Sequence, residues 1–246
     1  MRYLIVSDLH ANWEALEAVL GWAKNRYEQI VCCGDLVGYG PDPNRVVEWC
    51  RKNLHAVIRG NHDRACCGLE DLEWFNPIAR EASEWTMRAL TEQNLHWLRT
   101  LPAGPLVVDG FLIAHGSPLD EDEYLTTLTD AANTFEYLES SLTFFGHTHL
   151  QGGFAWENGK RRKLFRPFDD QCETGVHVDP DGLYLVNPGS VGQPRDGDAR
   201  AAFALFDSST RDVELRRVPY DFDSVRRKIE SAGLPVALGN RLEHGR

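Results

Sequence analysis

The chain has 246 residues, with 26 Lys or Arg and 37 Asp or Glu, so its formal net charge is −11. This acidic balance disfavours non-specific binding to nucleic acid and to anionic membranes. With 42% hydrophobic and 26% charged residues, the composition is typical of a soluble globular protein long enough to bury a large core.

The sequence lacks a segment typical of secretion or membrane insertion. Only a short apolar run precedes Ser7, whereas a secretory signal needs roughly 7–15 apolar residues and a spanning helix needs about 20. The six cysteines include no CxxC motif, which favours reduced thiols over disulfides. We therefore expect a cytoplasmic protein with no membrane partner.

Strand and helix signals alternate over the first two-thirds of the chain. Apolar runs predict strands at 3–7, 29–33, 55–60 and 142–146, and a hairpin around Asp109-Gly110. Capping residues and periodicity predict helices at 12–25, 43–53, from 77 onward, from 91 to before Pro102, and near 130–139. This alternation predicts an α/β fold with a mostly parallel sheet.

The last third of the sequence has a different character. Short strands are separated by turns at Asn158-Gly159 and Asp181-Gly182, and a final helix near 221–232 closes the chain. The later hairpins predict antiparallel additions to the sheet. We interpret residues 1–246 as a single domain, with the site motifs in 1–150 and these additions in 151–246.

Polar side chains suited to metal binding follow five of the predicted strands. They are Asp8 and His10, then Asp35, then Asn61, His62 and Asp63, then His115, and finally His147 and His149. Each motif alone fits a turn or a buried histidine. Together they predict a site, because ligands of open α/β sheets bind at the carboxyl ends of the strands.

The residue types in this set indicate the kind of metal. Imidazole mixed with oxygen ligands suits Mn, Fe, Zn, Ni or Co better than Ca or Mg, and the lack of thiolates disfavours structural zinc. The candidate ligands are Asp8, His10, Asp35, Asn61, His115, His147 and His149. These are too many for one tetrahedral ion and suit two ions about 3.5–4 Å apart that share a carboxylate. His62 and Asp63 remain as a catalytic pair.

The order of the motifs resembles that of the calcineurin-like metallophosphoesterases, especially their small bacterial and archaeal phosphodiesterases and phosphatases. The motifs are DLH (8–10), GDLVGYG (34–40), GNHD (60–63), AHGSP (114–118), GHTH (146–149) and NPGSVGQPRD (187–196). The resemblance implies an α/β fold in which two mixed β-sheets pack as a sandwich flanked by helices, in four αββα layers.

The resemblance also implies a role for each residue. One ion would be held by Asp8, His10, Asp35 and His149. The second would be held by Asp35, Asn61, His115 and His147, with Asp35 bridging. Hydroxide formed on the ions would attack phosphorus, and His62, oriented by Asp63, would donate a proton to the leaving oxygen.

Two arginines are candidates for binding the phosphate, with Asn61 as a further substrate contact. Of Arg64 and Arg195 we favour Arg195, whose alternative is a surface ion pair with Asp196 or Asp198. The pocket walls are expected from residues 64–80, 117–130 and 187–199.

Two other features bear on the substrate. Gly38 and Tyr39 stand where Ser/Thr protein phosphatases carry an Asp-Arg pair, which disfavours that specificity. Tyr39 could stack on a ring or anchor the loop by packing. The basic run Lys160–Lys163 could touch nucleic acid, but a solvent-exposed hairpin arm is the favoured interpretation.

The sequence therefore predicts a metal-dependent phosphoesterase that acts on a small phosphorylated substrate, with the choice between monoester and diester left open. The alternative is a phosphodiesterase or nuclease directed at nucleotides or nucleic acid. A non-catalytic scaffold on the same fold is disfavoured, because no ligand of the set is missing.

Overall fold

Strand β1, Arg2–Val6, shows how the core is divided. Its side chains alternate between two faces, as the pleat of a strand requires. Tyr3 and Ile5 point into an apolar cluster shared with the second sheet, whereas Leu4 and Val6 point into a cluster shared with helices. The sheets therefore pack face to face, with helices against their outer faces.

The first sheet of the computed structural model, which describes residues 1–168 and 171–246, contains six strands. Their spatial order is β3 (Ala56–Val57), β2 (Gln29–Cys32), β1, β11 (Ala201–Asp207), β12 (Asp212–Val218) and β9 (Glu173–His177). Strands β1 to β3 are parallel, and the other three add antiparallel neighbours.

The second sheet also contains six strands within the described ranges. Their order is β4 (Leu106–Val108), β5 (Phe111–Ala114), β6 (Leu142–Phe145), β10 (Leu183–Asn187), β7 (Gly152–Glu157) and β8 (Lys160–Phe165). Strands β5, β6 and β10 are parallel to one another, and the rest are antiparallel. The α/β fold with two mixed sheets flanked by helices is thus confirmed.

The helices lie mainly in the first half of the chain and at its end. They are α1 (Trp13–Ala23), α2 (Pro43–Asn53), α3 (Asn61–Cys66), α4 (Pro77–Ala89), α5 (Glu92–Arg99), α6 (Leu128–Phe135), α7 (Phe222–Ser231) and α8 (Val236–Asn240). Helices α1, α2 and α5 cover the first sheet, and α6 covers the second. No helix in the described part of the chain has the length and apolar character needed to cross a bilayer.

Local signals placed several helices correctly. The Asn12 side chain accepts a hydrogen bond from the Ala15 amide at 3.1 Å and caps α1, and Pro43 begins α2 as expected. Asn76 and Thr91 cap α4 and α5 in the same way. These helices follow their sequence signals because a cap depends only on residues three or four positions away.

One expectation about the last third was wrong. The Asp181-Gly182 turn does not join a hairpin, because β9 pairs with β12 in the first sheet while β10 lies in the second. The chain crosses from one sheet to the other at this turn. The helix near 221–232 is present as α7, but α8 follows it, packed with α7 in one apolar cluster.

Arg217 on β12 ties the first sheet to the loop that follows β10. Its side chain is 2% exposed, its Nε donates to Gln151 Oε1 at 2.8 Å, and its Nη2 pairs with Asp196. Gln151 in turn donates to the carbonyls of Pro188 and Phe203 at 3.0 and 3.1 Å. This buried network fixes the loop 188–196 relative to both sheets.

We expect Arg217→Met to lower the free energy of unfolding by about 3 kcal/mol, because Asp196 and Gln151 would lose their buried partner. Equilibrium unfolding in urea measures the change. The control is Arg227→Met on the exposed side of α7, which should stay within about 0.5 kcal/mol of the parent. Equal stabilities of the two variants would contradict the role of the network.

Candidate metal centre and active site

The candidate site lies where the carboxyl ends of strands from both sheets meet. The Asp8 amide donates to Gly34 O at 3.0 Å, which joins the ends of β1 and β2. The His147 amide donates to Asp8 Oδ1 at 3.1 Å, which joins the end of β6 to that of β1. The predicted crevice is therefore built from two sheets rather than from one.

Five of the predicted metal ligands have a left-handed backbone. The φ angles are 52° at Asp8, 46° at His10, 55° at Asp35, 63° at His147 and 59° at His149. Such values are uncommon outside glycine and cost of order 1–3 kcal/mol each. Other non-glycine residues of the described chain also have positive φ, but five such residues in one ligand set indicate that the placement of their side chains outweighs local stability.

The first ligand group consists of Asp8, His10, Asp35 and His149, whose ligand atoms all lie within 4.8 Å of one another. The two imidazoles face each other, with 3.0 Å between His10 Nε2 and His149 Nε2. Their Nδ1 atoms lie 3.0 Å from Val37 O and 2.5 Å from Gln193 O respectively. Because a carbonyl only accepts, each Nδ1 carries the hydrogen and each Nε2 presents a lone pair.

Two facing lone pairs repel each other, whereas a cation would accept both. Burial lowers the pKa of His10 and of His149 well below the ordinary histidine value, so both rings are neutral near pH 7. Neutral imidazole is the form that binds metal. The donor set of this group therefore fits a divalent cation.

The second ligand group consists of Asp35, His115 and His147, with ligand atoms again within 4.8 Å. Asn61 Oδ1 lies 3.2 Å from His115 Nε2 and so joins this group. Asp35 Oδ2 is 3.4 Å from His115 Nε2 and 3.6 Å from His10 Nε2, which places it between the groups. All seven predicted ligands are thus brought together, and Asp35 belongs to both groups.

Several polar atoms of the site are buried without a hydrogen-bond partner among the described residues. They include Asp8 Oδ2 and His147 Nε2. Burial raises the pKa of Asp8 to about 7, with the charge of Asp35 adding to the rise and His115 opposing it. A buried carboxylate and an unpartnered imidazole nitrogen are what a metal site requires before its ion binds.

Gly60 and the His62 amide of the GNHD motif fit closely around Asp35. A Cβ atom at position 60 would lie 2.1 Å from Asp35 Oδ1, so only glycine allows this approach. The same oxygen accepts the His62 amide at 2.9 Å. The backbone of this motif therefore holds the carboxylate shared by the two groups.

His62 lies at the site. Asp63 was expected to orient the His62 ring, but its carboxylate bonds to backbone amides instead. Asp63 Oδ1 accepts the amides of Leu36 and Val37 at 2.9 and 3.2 Å, and Oδ2 accepts that of Gly60 at 3.0 Å. These bonds use both carboxylate oxygens. Asp63 therefore fixes the loop after β2 to the start of α3, and any effect on His62 is indirect.

Other neighbours position the His62 ring. Its centroid is 4.3 Å from that of Tyr39 and 5.2 Å from that of Phe75. A Cβ atom at Gly38, where φ is 85°, would lie 2.6 Å from His62 Nδ1. Burial lowers the pKa of His62 to about 4, so the ring is neutral at pH 7 in the substrate-free protein.

Arg64, one of the two candidate phosphate ligands, is engaged elsewhere. Its guanidinium contacts Asp122 at 2.7 Å, Glu70 at 2.9 Å and Glu121 at 2.5 Å. Burial opposes the charge of Arg64, but these three carboxylates outweigh it and raise the pKa of Arg64. The residue therefore holds loops together.

Arg195 lies beside the reaction centre. Its Nη2 donates to Tyr39 Oη at 3.3 Å and to Gln193 Oε1 at 3.1 Å, and its amide donates to His149 O at 3.3 Å. The alternative, an ion pair with Asp196 or Asp198, is absent among the described residues, since those carboxylates pair with other arginines. The Arg195 Nε is buried without a partner in the described part of the chain.

Sequence reasoning missed several aromatic residues beside the site. Trp74, Phe75 and Tyr124 line a cavity of about 360 Å³ together with His62 and His147. They fall within the segments expected to form the pocket walls, but their spacing follows no motif. Only their contacts in the folded protein reveal them. The basic run 160–163 lies on the exposed edge strand β8, as expected.

Comparisons with known proteins give the family of this chain. Residues 1–211 match the sequence profile of the calcineurin-like phosphoesterase superfamily domain. The chain is 36% identical over 250 residues to an uncharacterized protein from Methanocaldococcus jannaschii, with 98% of this chain and 97% of the relative covered.

Two solved structures share the whole fold. A metallophosphoesterase from Sphaerobacter thermophilus superposes with a TM-score of 0.86 at 38% identity, covering 100% of this chain and 99% of that one. A hypothetical protein from Pyrococcus horikoshii gives a TM-score of 0.80 at 20% identity, with 100% and 98% covered, and shows the fold alone. The resemblance found in the motifs is confirmed, and the chain belongs to the calcineurin-like phosphoesterase superfamily.

Proposed function

We propose that this protein hydrolyses a small phosphorylated substrate at a centre of two divalent transition-metal ions. The observation that carries this proposal is the pair of buried ligand groups that share Asp35. A shared carboxylate between two such groups suits two ions about 3.5–4 Å apart. The mixed imidazole and oxygen donors suit Mn, Fe, Zn, Ni or Co.

In this proposal each group holds one ion. The first would be bound by Asp8, His10, Asp35 and His149, and the second by Asp35, Asn61, His115 and His147. When bound, the two ions supply positive charge against the phosphoryl oxygens and a water of lowered pKa. The left-handed backbone at five of these residues orients their side chains before any ion arrives.

His62 is the proposed proton donor to the leaving oxygen. Its ring is neutral without substrate, because burial lowers its pKa to about 4. A negatively charged phosphoryl group beside the imidazole raises that pKa again. The ring therefore takes up its proton together with the substrate and releases it to the leaving oxygen as the ester bond breaks.

Arg195 is the proposed ligand of a phosphoryl oxygen outside the metal centre. Its guanidinium donates to two neutral partners, Tyr39 and Gln193, and no carboxylate of the described residues forms an ion pair with it. A guanidinium of this kind can bind phosphate with two parallel hydrogen bonds.

We expect the protein loaded with Mn²⁺ to hydrolyse p-nitrophenyl phosphate or bis-p-nitrophenyl phosphate, and Asp35→Asn to reduce kcat by at least about 100-fold. The amide cannot bridge two cations, whose charge supplies several kcal/mol of transition-state stabilisation. Steady-state kinetics measure the fall in kcat, and mass spectrometry measures the accompanying loss of bound metal. The control is Asp181→Asn in the exposed turn before β10, which should retain full activity. Hydrolysis that survives both a chelator and Asp35→Asn would exclude the proposal.

We expect His62→Ala to slow the hydrolysis of alkyl phosphoesters by about 10²–10⁴-fold and that of p-nitrophenyl esters far less, because a poor leaving group depends most on the proton. Comparison of kcat for the two ester types measures this. His96→Ala on the exposed side of α5 serves as the control. Equal losses on both esters would refute the proton-donor role and leave the metal centre standing.

We expect His115 to carry a proton on both ring nitrogens at pH 8 in the metal-free protein. Burial lowers its pKa, but the carboxylates of Asp35 and Asp8 outweigh burial and raise it to about 10. The proton is therefore held below pH 10 and lost above it, and a bound metal must displace it from Nε2. Nitrogen-15 NMR of the imidazole should show two N–H groups at pH 8 and one after Zn²⁺ is added. A single N–H group before Zn²⁺ is added would contradict this expectation.

A further inference from the structure

A cavity of about 360 Å³ opens directly beside the candidate reaction centre. Asn61, His62 and His147 form its inner end. This volume lies within the range of about 300–1,000 Å³ that is typical of small-molecule sites. A phosphoester held at the inner end would therefore place its organic group in this cavity.

Four aromatic side chains line the cavity. Tyr39 and Phe75 each pack against the His62 ring. Tyr124 packs against His147, with 4.0 Å between the ring centroids, and Trp74 completes the lining. A flat ring entering this cavity would therefore meet aromatic side chains.

Two of these aromatic side chains are largely exposed to solvent and so contribute little to the stability of the fold. Trp74 is 88% and Tyr124 is 53% exposed. Burying a large apolar side chain typically stabilises a protein by about 1.5–3 kcal/mol, which these positions largely forgo. Tyr137 is also exposed, at 68%, but does not line the cavity. Exposed apolar surface at the mouth of a catalytic cavity is typical of a ligand site.

Two carboxylates in the cavity wall indicate which part of a ligand this wall would contact. Glu70 and Asp122 line the cavity and are held in place by Arg64, at 2.9 and 2.7 Å. Carboxylate oxygens only accept hydrogen bonds, and they repel phosphate. They suit the amino and ring N–H groups of a nucleobase. A nucleotide would therefore place its phosphate at the end of the cavity with the predicted metal ligands and its base beside the carboxylates.

We propose that this cavity binds the base of a nucleoside, so that the substrates are nucleoside phosphates, with Trp74 and Tyr124 as specificity-determining residues. This inference rests on the phosphoesterase function proposed above. Stacking of a base on an aromatic side chain contributes about 1–3 kcal/mol, which corresponds to a factor of about 5–150 in affinity. Arg64 acts as a positioning residue, since it joins the two loops that carry the rings.

The test compares three inhibitors of p-nitrophenyl phosphate hydrolysis: adenosine 5′-monophosphate, ribose 5-phosphate and inorganic phosphate. The first two differ only in the base. We expect adenosine 5′-monophosphate to inhibit at least about 10-fold more tightly than ribose 5-phosphate. Trp74→Ala and Tyr124→Ala should each reduce this ratio to about 3 or less, and Trp74→Ala should do so without changing inhibition by inorganic phosphate. Trp74→Phe should restore it, and Tyr137→Ala should leave it unchanged.

Equal inhibition by the two sugar phosphates, or a ratio that survives Trp74→Ala, would overturn the inference. A second readout needs no turnover. The NMR resonances of the adenine protons of adenosine 5′-monophosphate should broaden when the metal-free full-length protein is added. They should broaden less when the Trp74→Ala variant is added. Lack of hydrolysis with retained base binding would reject the proposed function alone, and hydrolysis without base binding would reject the inference alone.

Discussion

A carboxylate buried between two sets of metal-type ligands is the constraint on which this structure depends. Asp35 and Asp8 are removed from water, and an ionised carboxylate in that position is costly unless it is paired. The histidines around them are mostly kept neutral by burial. His115 opposes the charge of both carboxylates, and Arg195 also opposes that of Asp8. The strained backbone, the close approach of Gly60 and the amide donors to Asp35 all hold this unbalanced charge in one place.

The members of the candidate site could be predicted from sequence because each stands directly after an apolar strand. Which strands share a sheet could not be read in the same way. Residues 3–7 and 142–146 look alike as short apolar runs, yet β1 and β6 lie in different sheets. Strand pairing is decided by contacts between residues far apart in the chain. The two-sheet arrangement therefore came from the motif resemblance rather than from periodicity.

The roles of Asp63 and Arg64 show a second limit of sequence reasoning. Asp63, which follows His62, was expected to orient its ring, and Arg64, the next residue, was a candidate phosphate ligand. Helix α3 separates successive side chains by about 100°, so neighbours in sequence face different surroundings. Asp63 faces backbone amides of the loop after β2, and Arg64 faces three carboxylates. Trp74 ends a short 3₁₀ helix, Leu72–Trp74, and Tyr124 lies in a loop, so no periodicity relates them and only the folded chain shows which surface they share.

The crossing of the chain between the two sheets has a consequence for synthesis of the protein. Strand β10 stands between β6 and β7, β11 completes the pairing of β1, and the segment between them binds Asp8 and His149 through backbone groups. The ligands from the first ten residues therefore lack these contacts until the ribosome has released the segment after β10, and β1 lacks its second neighbour until residues up to 207 have emerged. A partly synthesised chain cannot hold the site residues as the complete fold holds them, so the site is completed late in synthesis.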